Sequence, residues 1–190
     1  MVRNTRAVIT ITVIFLVVQI AIIFALASQD RPDHVRSVIL TTGLLAVYTF
    51  LEVRYGFYMN NFVRVMVMLT IFLDALFGSY FDLYATSVIF DKILHVIGTY
   101  SFALFAYVLV TQMLKNPIGK PVKFILAVCL GLSLGGVYEI FEFLTDSLSH
   151  PTPPSQPSLL DTNLDLIGDT AGALLAAAHV ISVNFVNREF

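Results

Sequence analysis

Six stretches of this 190-residue chain are almost continuously apolar, over residues 7–27, 37–53, 62–80, 88–113, 122–144 and 164–186. An α-helix needs roughly 17–25 such residues to cross a bilayer, and each stretch is near or above that length, the second being the shortest. The polar links between them carry helix-stopping residues. Ser28-Gln29-Asp30-Arg31-Pro32-Asp33 separates the first pair, and Lys115 to Pro121, with Pro117 and Gly119, separates the fourth and fifth. Proline lacks an N–H and clashes with the preceding turn, and glycine loses the most backbone freedom on ordering, so both punctuate helices. The longest link, Ser147 to Leu160, holds Pro151, Pro153, Pro154 and Pro157 and reads as extended, solvated, polyproline-like chain. No internal repeat is visible. The pattern predicts an all-α, polytopic membrane bundle of six transmembrane helices, with residues 1–190 forming one domain.

Composition agrees. The chain is 57% hydrophobic and only 13% charged, about half the charge usual in a soluble domain. Its mean hydropathy is +0.84. A net charge of −2 without a basic stripe excludes nucleic acid as a partner. The single cysteine, Cys129, excludes an intrachain disulfide and a cysteine-rich metal site, and its apolar neighbours suggest a small buried residue. Arg3 and Arg6 followed by an apolar run ending Ala25-Leu26-Ala27 outline a signal peptide. That run is about 21 residues long against ~7–15 for a signal core, so the reading is an uncleaved first helix.

Charge sets the expected orientation. With six spans, Arg3, Arg6, Arg54, Arg64, Lys115, Lys120, Lys123 and Arg188 share one side, and Arg31, Arg36 and Lys92 the other. The positive-inside bias then puts both termini in the cytoplasm of an inner-membrane protein. Nine of the 13 carboxylates lie in or beside the apolar stretches: Asp74, Asp82, Asp91, Glu139, Glu142, Asp146, Asp161, Asp165 and Asp169. The alternating topology brings all nine to the outer side. A charge at the bilayer centre costs ~2.5–3.5 kcal/mol on insertion scales, so such groups mark function by default and should face the bundle interior.

The spacing supports an inward-facing site. Asp91 and His95 are four apart, Glu139, Glu142 and Asp146 step by three and four, and Asp161, Asp165 and Asp169 step by four twice. Each set shares one helix face. Gly131, Gly135 and Gly136, and Gly168 with Gly172, make small-residue stripes that let helices approach, a common packing device. Like charges raise one another's pKa, so the cluster calls for protonation or for a bound cation. Asp91, His95, Glu139, Glu142 and Asp165 are the candidate ligands of a divalent metal. Oxygens with one imidazole suit Mg, Mn, Ca, Zn or Fe without choosing among them. Asp161, Asp165 and Asp169 are the candidate catalytic groups. Plainer roles compete. Thr162-Asn163-Leu164-Asp165 matches a capping box opening the last helix. Asp91 suits a helix N-terminus, Lys92 suits snorkelling to the interface, and Asp146 suits a place just outside the membrane. Asp74 reads as isolated and protonated. Tyr138, Tyr80, Tyr84 and Tyr100 fit an interfacial belt, with a hydroxyl-to-carboxylate bond as the minor alternative. His34, His150 and His179 receive no role.

Asp91-Lys92-Ile93-Leu94-His95, Tyr138-Glu139-Ile140-Phe141-Glu142 and Asp161-Thr162-Asn163-Leu164-Asp165-Leu166, with Gly78-Ser79-Tyr80, together resemble the YjdF-type bacterial inner-membrane family. They are more distantly similar to VanZ-like membrane proteins, a group that includes a teicoplanin-resistance factor. The resemblance covers about half the chain, from Gly78 to about Ala176. VanZ-like proteins carry an Asn in the last helix where this chain has Asp169. The resemblance implies a bacterial envelope protein and supplies no reaction. Three functions stay open on the residues. The first is a site at the outer face, metal-dependent and acting on an envelope lipid or lipid-linked substrate. The second is a proton- or cation-coupled transporter. The third is a non-catalytic binding or resistance accessory protein.

Overall fold

A computed structural model describes residues 5–57 and 59–182 of the chain. Helix α1 spans Thr5–Ser28, α2 Pro32–Tyr55, α3 Asn61–Leu73, α4 Leu83–Thr86, α5 Phe90–Gln112, α6 Lys120–Ser149 and α7 Leu159–Ser182. No strand occurs among the described residues. Among the described residues six helices are long and apolar enough to cross a membrane, α3 counting with its continuation to Tyr80. Their exposed faces carry large apolar side chains such as Val17, Phe24, Leu44, Phe50, Val137 and Ile167, as lipid-facing helices require. Arg3, Arg188 and positions 183–186 of the last expected stretch lie outside the described residues.

The helices start and stop where their capping chemistry dictates, often beyond the apolar runs. α2 begins at Pro32, whose fixed φ suits a first turn, and ends at Gly56 with φ +78°, whose N–H bonds the Glu52 carbonyl. α3 opens with the Asn60 side chain accepting the Val63 N–H at 2.8 Å. It then widens into a π-helix over Asp74–Tyr80. There Gly78 leaves room for the Tyr84 ring, which would collide with any Cβ, and the Tyr84 hydroxyl donates to Asp74 Oδ1 at 2.6 Å. Asp74 is therefore a half-buried acceptor, not an isolated carboxyl. α6 continues five residues past its expected end and stops at His150, at φ +47°, so the Pro-rich link shortens to residues 150–158. α7 opens earlier than the capping-box reading expects. The Ser158 hydroxyl accepts the Asp161 N–H at 3.2 Å, which moves Thr162 and Asp165 inside the helix.

The chain divides into two compact units, Met1–Thr86 and Ser87–Phe190. In the first unit Ile22 and Leu26 of α1, Val38 of α2 and Ala75 form a buried cluster. Arg31 closes its end, donating to the Ser79 carbonyl at 2.8 Å, pairing with Asp82 Oδ1 at 2.7 Å and lying 2.9 Å from His34. Arg64 is wholly buried and gives one nitrogen to both Glu52 oxygens at 2.7 Å. In the second unit α5, α6 and α7 pack on small residues. Gly131 lies on Ala173 and Ala103, and Gly172 lies against the Val96 carbonyl, where a Cβ would come within 2.5 Å. Cys129 is exposed on α6, not buried, because this close-packed face lies elsewhere on the helix.

Candidate functional site

The first turns of α5, the last turns of α6 and the first turns of α7 meet at one end of the second unit. Lys92, His95 and Thr99 recur every three or four residues on α5, so one face presents all three. Asp165 and Asp169 do the same on α7. Glycine lets these faces touch. Gly168 sits under His95 and the Lys92 carbonyl, where a Cβ would come within a tight 3.2 Å of both, and Gly135 of α6 sits against the Asp169 carboxyl, which a Cβ would overlap. The stripes expected only to pack helices thus also seat the polar groups.

Lys92 does not snorkel away. Its ammonium lies 2.9 Å from Asp91 Oδ2, 2.5 Å from Asp161 Oδ1 and 2.8 and 2.7 Å from the two Asp165 oxygens. His95, which is buried, lies between two sets of carboxylates. Its Nε2 is 3.5 Å from Asp165 and 3.7 Å from Asp91. Its Nδ1 is 3.2 Å from Asp169 Oδ1 and 3.7 Å from Glu139 Oε1. The Thr99 hydroxyl donates to the same Asp169 oxygen at 2.5 Å. The Tyr138 ring meets the imidazole edge to face, with centroids 5.7 Å apart.

Among the described residues three carboxylate oxygens in this packed interior have no hydrogen-bond partner: Asp165 Oδ1, which still faces the Lys92 ammonium at 2.7 Å, and Glu139 Oε1 and Asp169 Oδ2, which face no ammonium. Glu139 and Asp169 are only 5% and 2% exposed. A buried acceptor without a partner costs ~1–3 kcal/mol, more when charged, so such an oxygen ordinarily meets a water, an ion or a proton. Among the described residues two groups have ligand atoms close enough together to hold a metal ion. One ligand atom each from His95, Glu139 and Glu142 lies within 4.8 Å of the others, and the same holds for Asp91, His95 and Asp165. Glu142 is half-buried, so the first group borders the surface.

The family profile described as "Predicted membrane protein (DUF2238)" matches residues 9–184. The chain belongs to this family. An uncharacterized protein of Thermotoga maritima is 32% identical over 114 residues, which is 60% of this chain and 59% of that protein. The chain thus spans under two thirds of that relative's length. No solved structure matches.

In this DUF2238 protein, seven of the nine carboxylates singled out by sequence belong to the second unit. Asp91, Glu139, Glu142, Asp161, Asp165 and Asp169 gather with Lys92 and His95. Asp146 instead serves the α6–α7 link, its oxygens accepting the Ser155 and Gln156 N–H groups at 2.9 and 2.8 Å. Asp74 and Asp82 belong to the first unit, held by Tyr84 and Arg31. His179, given no role by sequence, meets the Tyr100 hydroxyl at 2.5 Å. Sequence reasoning leaves out Thr99 and Gln156. Gln156 donates through Nε2 to Glu139 Oε2 at 2.8 Å and to the Glu139 carbonyl at 2.9 Å. Thr99 continues the Lys92–His95 face by one turn, a signal open to periodicity. Gln156 lies in an irregular link, where no periodic signal exists.

Proposed function

We propose that this protein binds a divalent cation through His95, Glu139 and Glu142 and uses it on an envelope lipid or lipid-linked substrate at the outer face of the bacterial inner membrane. The observation that carries the reading is the open oxygen Glu139 Oε1, buried beside an imidazole and a second glutamate at ligand spacing. Oxygen donors with one imidazole suit Mg, Mn, Ca, Zn or Fe. Asp91 and Asp165 of the second group already face the Lys92 ammonium, so the ion belongs on the Glu139 side of His95. Asp169, whose Oδ1 faces His95 Nδ1 and whose Oδ2 accepts no hydrogen bond from the described residues, is the base. When bound, the ion polarises a phosphoryl or acyl oxygen. Asp169 takes the proton of the attacking water as the new bond to oxygen forms and the leaving group departs. Exposed Tyr138 and Phe141 flank Glu142 on α6, an apolar approach suited to a lipid. The YjdF-type and VanZ-like resemblance supports an envelope setting, and the count of basic residues supports cytoplasmic termini.

Metal analysis of detergent-purified protein tests the reading. Wild type should carry a stoichiometric divalent ion that His95→Ala and Glu142→Gln lose. Turnover of envelope lipids should require the ion and fall at least 100-fold in Asp169→Asn. No stoichiometric metal, with chelator leaving the protein unchanged, would overturn the proposal.

A further inference from the structure

The α6–α7 link reaches back to the site through one side chain. Asp146, in the last turn of α6, accepts the Ser155 and Gln156 N–H groups and so ties the far end of the link down. That tie fixes the Gln156 backbone. Its side-chain amide then spans two acceptors of one residue, Glu139 Oε2 at 2.8 Å and the Glu139 carbonyl at 2.9 Å. A carboxylate held this way cannot rotate freely, because turning it breaks the bond to Oε2. The other oxygen, Oε1, stays buried without a hydrogen bond and 3.7 Å from His95 Nδ1.

We infer that Gln156 is a positioning residue for the cation site, occupying Glu139 Oε2 so that Glu139 binds the ion through Oε1 alone. The inference rests on the cation reading above. Hydrogen bonds from neighbouring groups orient ligands, and losing one lowers metal affinity typically 10–100-fold. Aspartate, amide and glutamate form a relay in which Asp146 places the link, Gln156 places Glu139 and Glu139 meets the ion. It also gives the Pro-rich link a task. Fixed proline φ values lower the chain's freedom in the unbound state and so hold the amide in place at less entropic expense.

The test is Mn2+ titration of the full-length protein in detergent, with infrared difference spectra of the carboxylates. The separation of the symmetric and antisymmetric stretches reports whether a carboxylate binds through one oxygen or two, and Glu139→Gln assigns the band. Wild type should show one-oxygen binding. Gln156→Ala should weaken Mn2+ 10–100-fold and shift the Glu139 band toward two-oxygen binding, with the metal-free thermal midpoint little changed. Gln156→Leu, which keeps most of the volume and cannot donate, should weaken binding by as much. If Gln156→Ala does not fold, Asp146→Asn, which loosens the link from a distance, should give the same band shift. Unchanged affinity and band position in the folded variants would overturn the inference while leaving the cation site standing. Absence of Mn2+ binding by wild type would instead remove the site itself.

Discussion

Replacing Lys92 with methionine removes the cation that three aspartates share while keeping most of the side-chain volume. In wild type the ammonium sits 2.5–2.9 Å from oxygens of Asp91, Asp161 and Asp165. Removing one partner of a buried ion pair costs ~3–5 kcal/mol, because the other charge is left without compensation. The Lys92 side chain is 19% exposed, Asp91 and Asp161 22% and 21%, and Asp165 only 1%. Water reaches two of the three acceptors and screens them, so the low end applies, about 3 kcal/mol. For a chain of this size that lowers a thermal midpoint by roughly 6–12 °C. The emptied place is bordered by Asp91, His95 and Asp165, whose ligand atoms already lie within 4.8 Å of one another. A divalent ion should therefore rescue Lys92→Met more than wild type, and 100-fold excess over its Kd restores ~2.7 kcal/mol. The assay is thermal unfolding in detergent with chelator and then with graded Mn2+, alongside metal stoichiometry. A Lys92→Met protein as stable as wild type in chelator, with no extra ion bound, would refute the argument that Lys92 holds the second cation position.

Three further outcomes follow from the same contacts. Gly135→Ala places a methyl group on the Asp169 carboxyl and should cost ~1–3 kcal/mol in thermal unfolding and weaken cation binding, whereas Gly136→Ala, which meets open space, should do neither. Glu52→Leu or Arg64→Met alone should each lower stability by ~3–5 kcal/mol, and the double variant should return close to wild type, as a double-mutant cycle will show. Asp146→Ala removes the acceptor of two link N–H groups, so amide exchange at Ser155 and Gln156 should speed up at least tenfold while exchange in α5 stays unchanged.

Periodicity made the helices legible, because a span must be apolar over nearly its whole length whatever it packs against. It also put Asp91 with His95, and Asp165 with Asp169, on common faces, since a 3.6-residue turn fixes faces before any tertiary contact forms. Ends were less legible. α6 runs on through Thr145 to Ser149, residues polar enough to look like a link, because a helix ends where a cap satisfies its carbonyls and not where hydropathy falls. Pairings across helices were hidden altogether. Nothing local distinguishes Asp82, which pairs with Arg31, or Asp146, which pins a loop, from Asp165, which faces Lys92 and His95. Glu52 carries the signal that marked the other nine carboxylates, an acid at the edge of an apolar run, yet the sequence offers no hint that Arg64 buries it.

Lys92 is what separates the two halves of the acidic cluster. Read as a line of residues, six carboxylates and one histidine look like one site in need of one cation. In the fold the imidazole stands between unlike neighbours. On its Nε2 side, Asp91 and Asp165 already face an ammonium that no change in metal supply can remove. On its Nδ1 side, Asp169 has one oxygen held by Thr99 and one open, and Glu139 has one oxygen held by Gln156 and one open. Each of these two carboxylates is thus fixed by a neutral donor that leaves its charge in place and orients its spare oxygen. A cluster built only for structure would gain by satisfying those oxygens, since an unmet buried acceptor costs stability. Their coincidence on the side without the lysine is the physical reason for placing an exchangeable cation there.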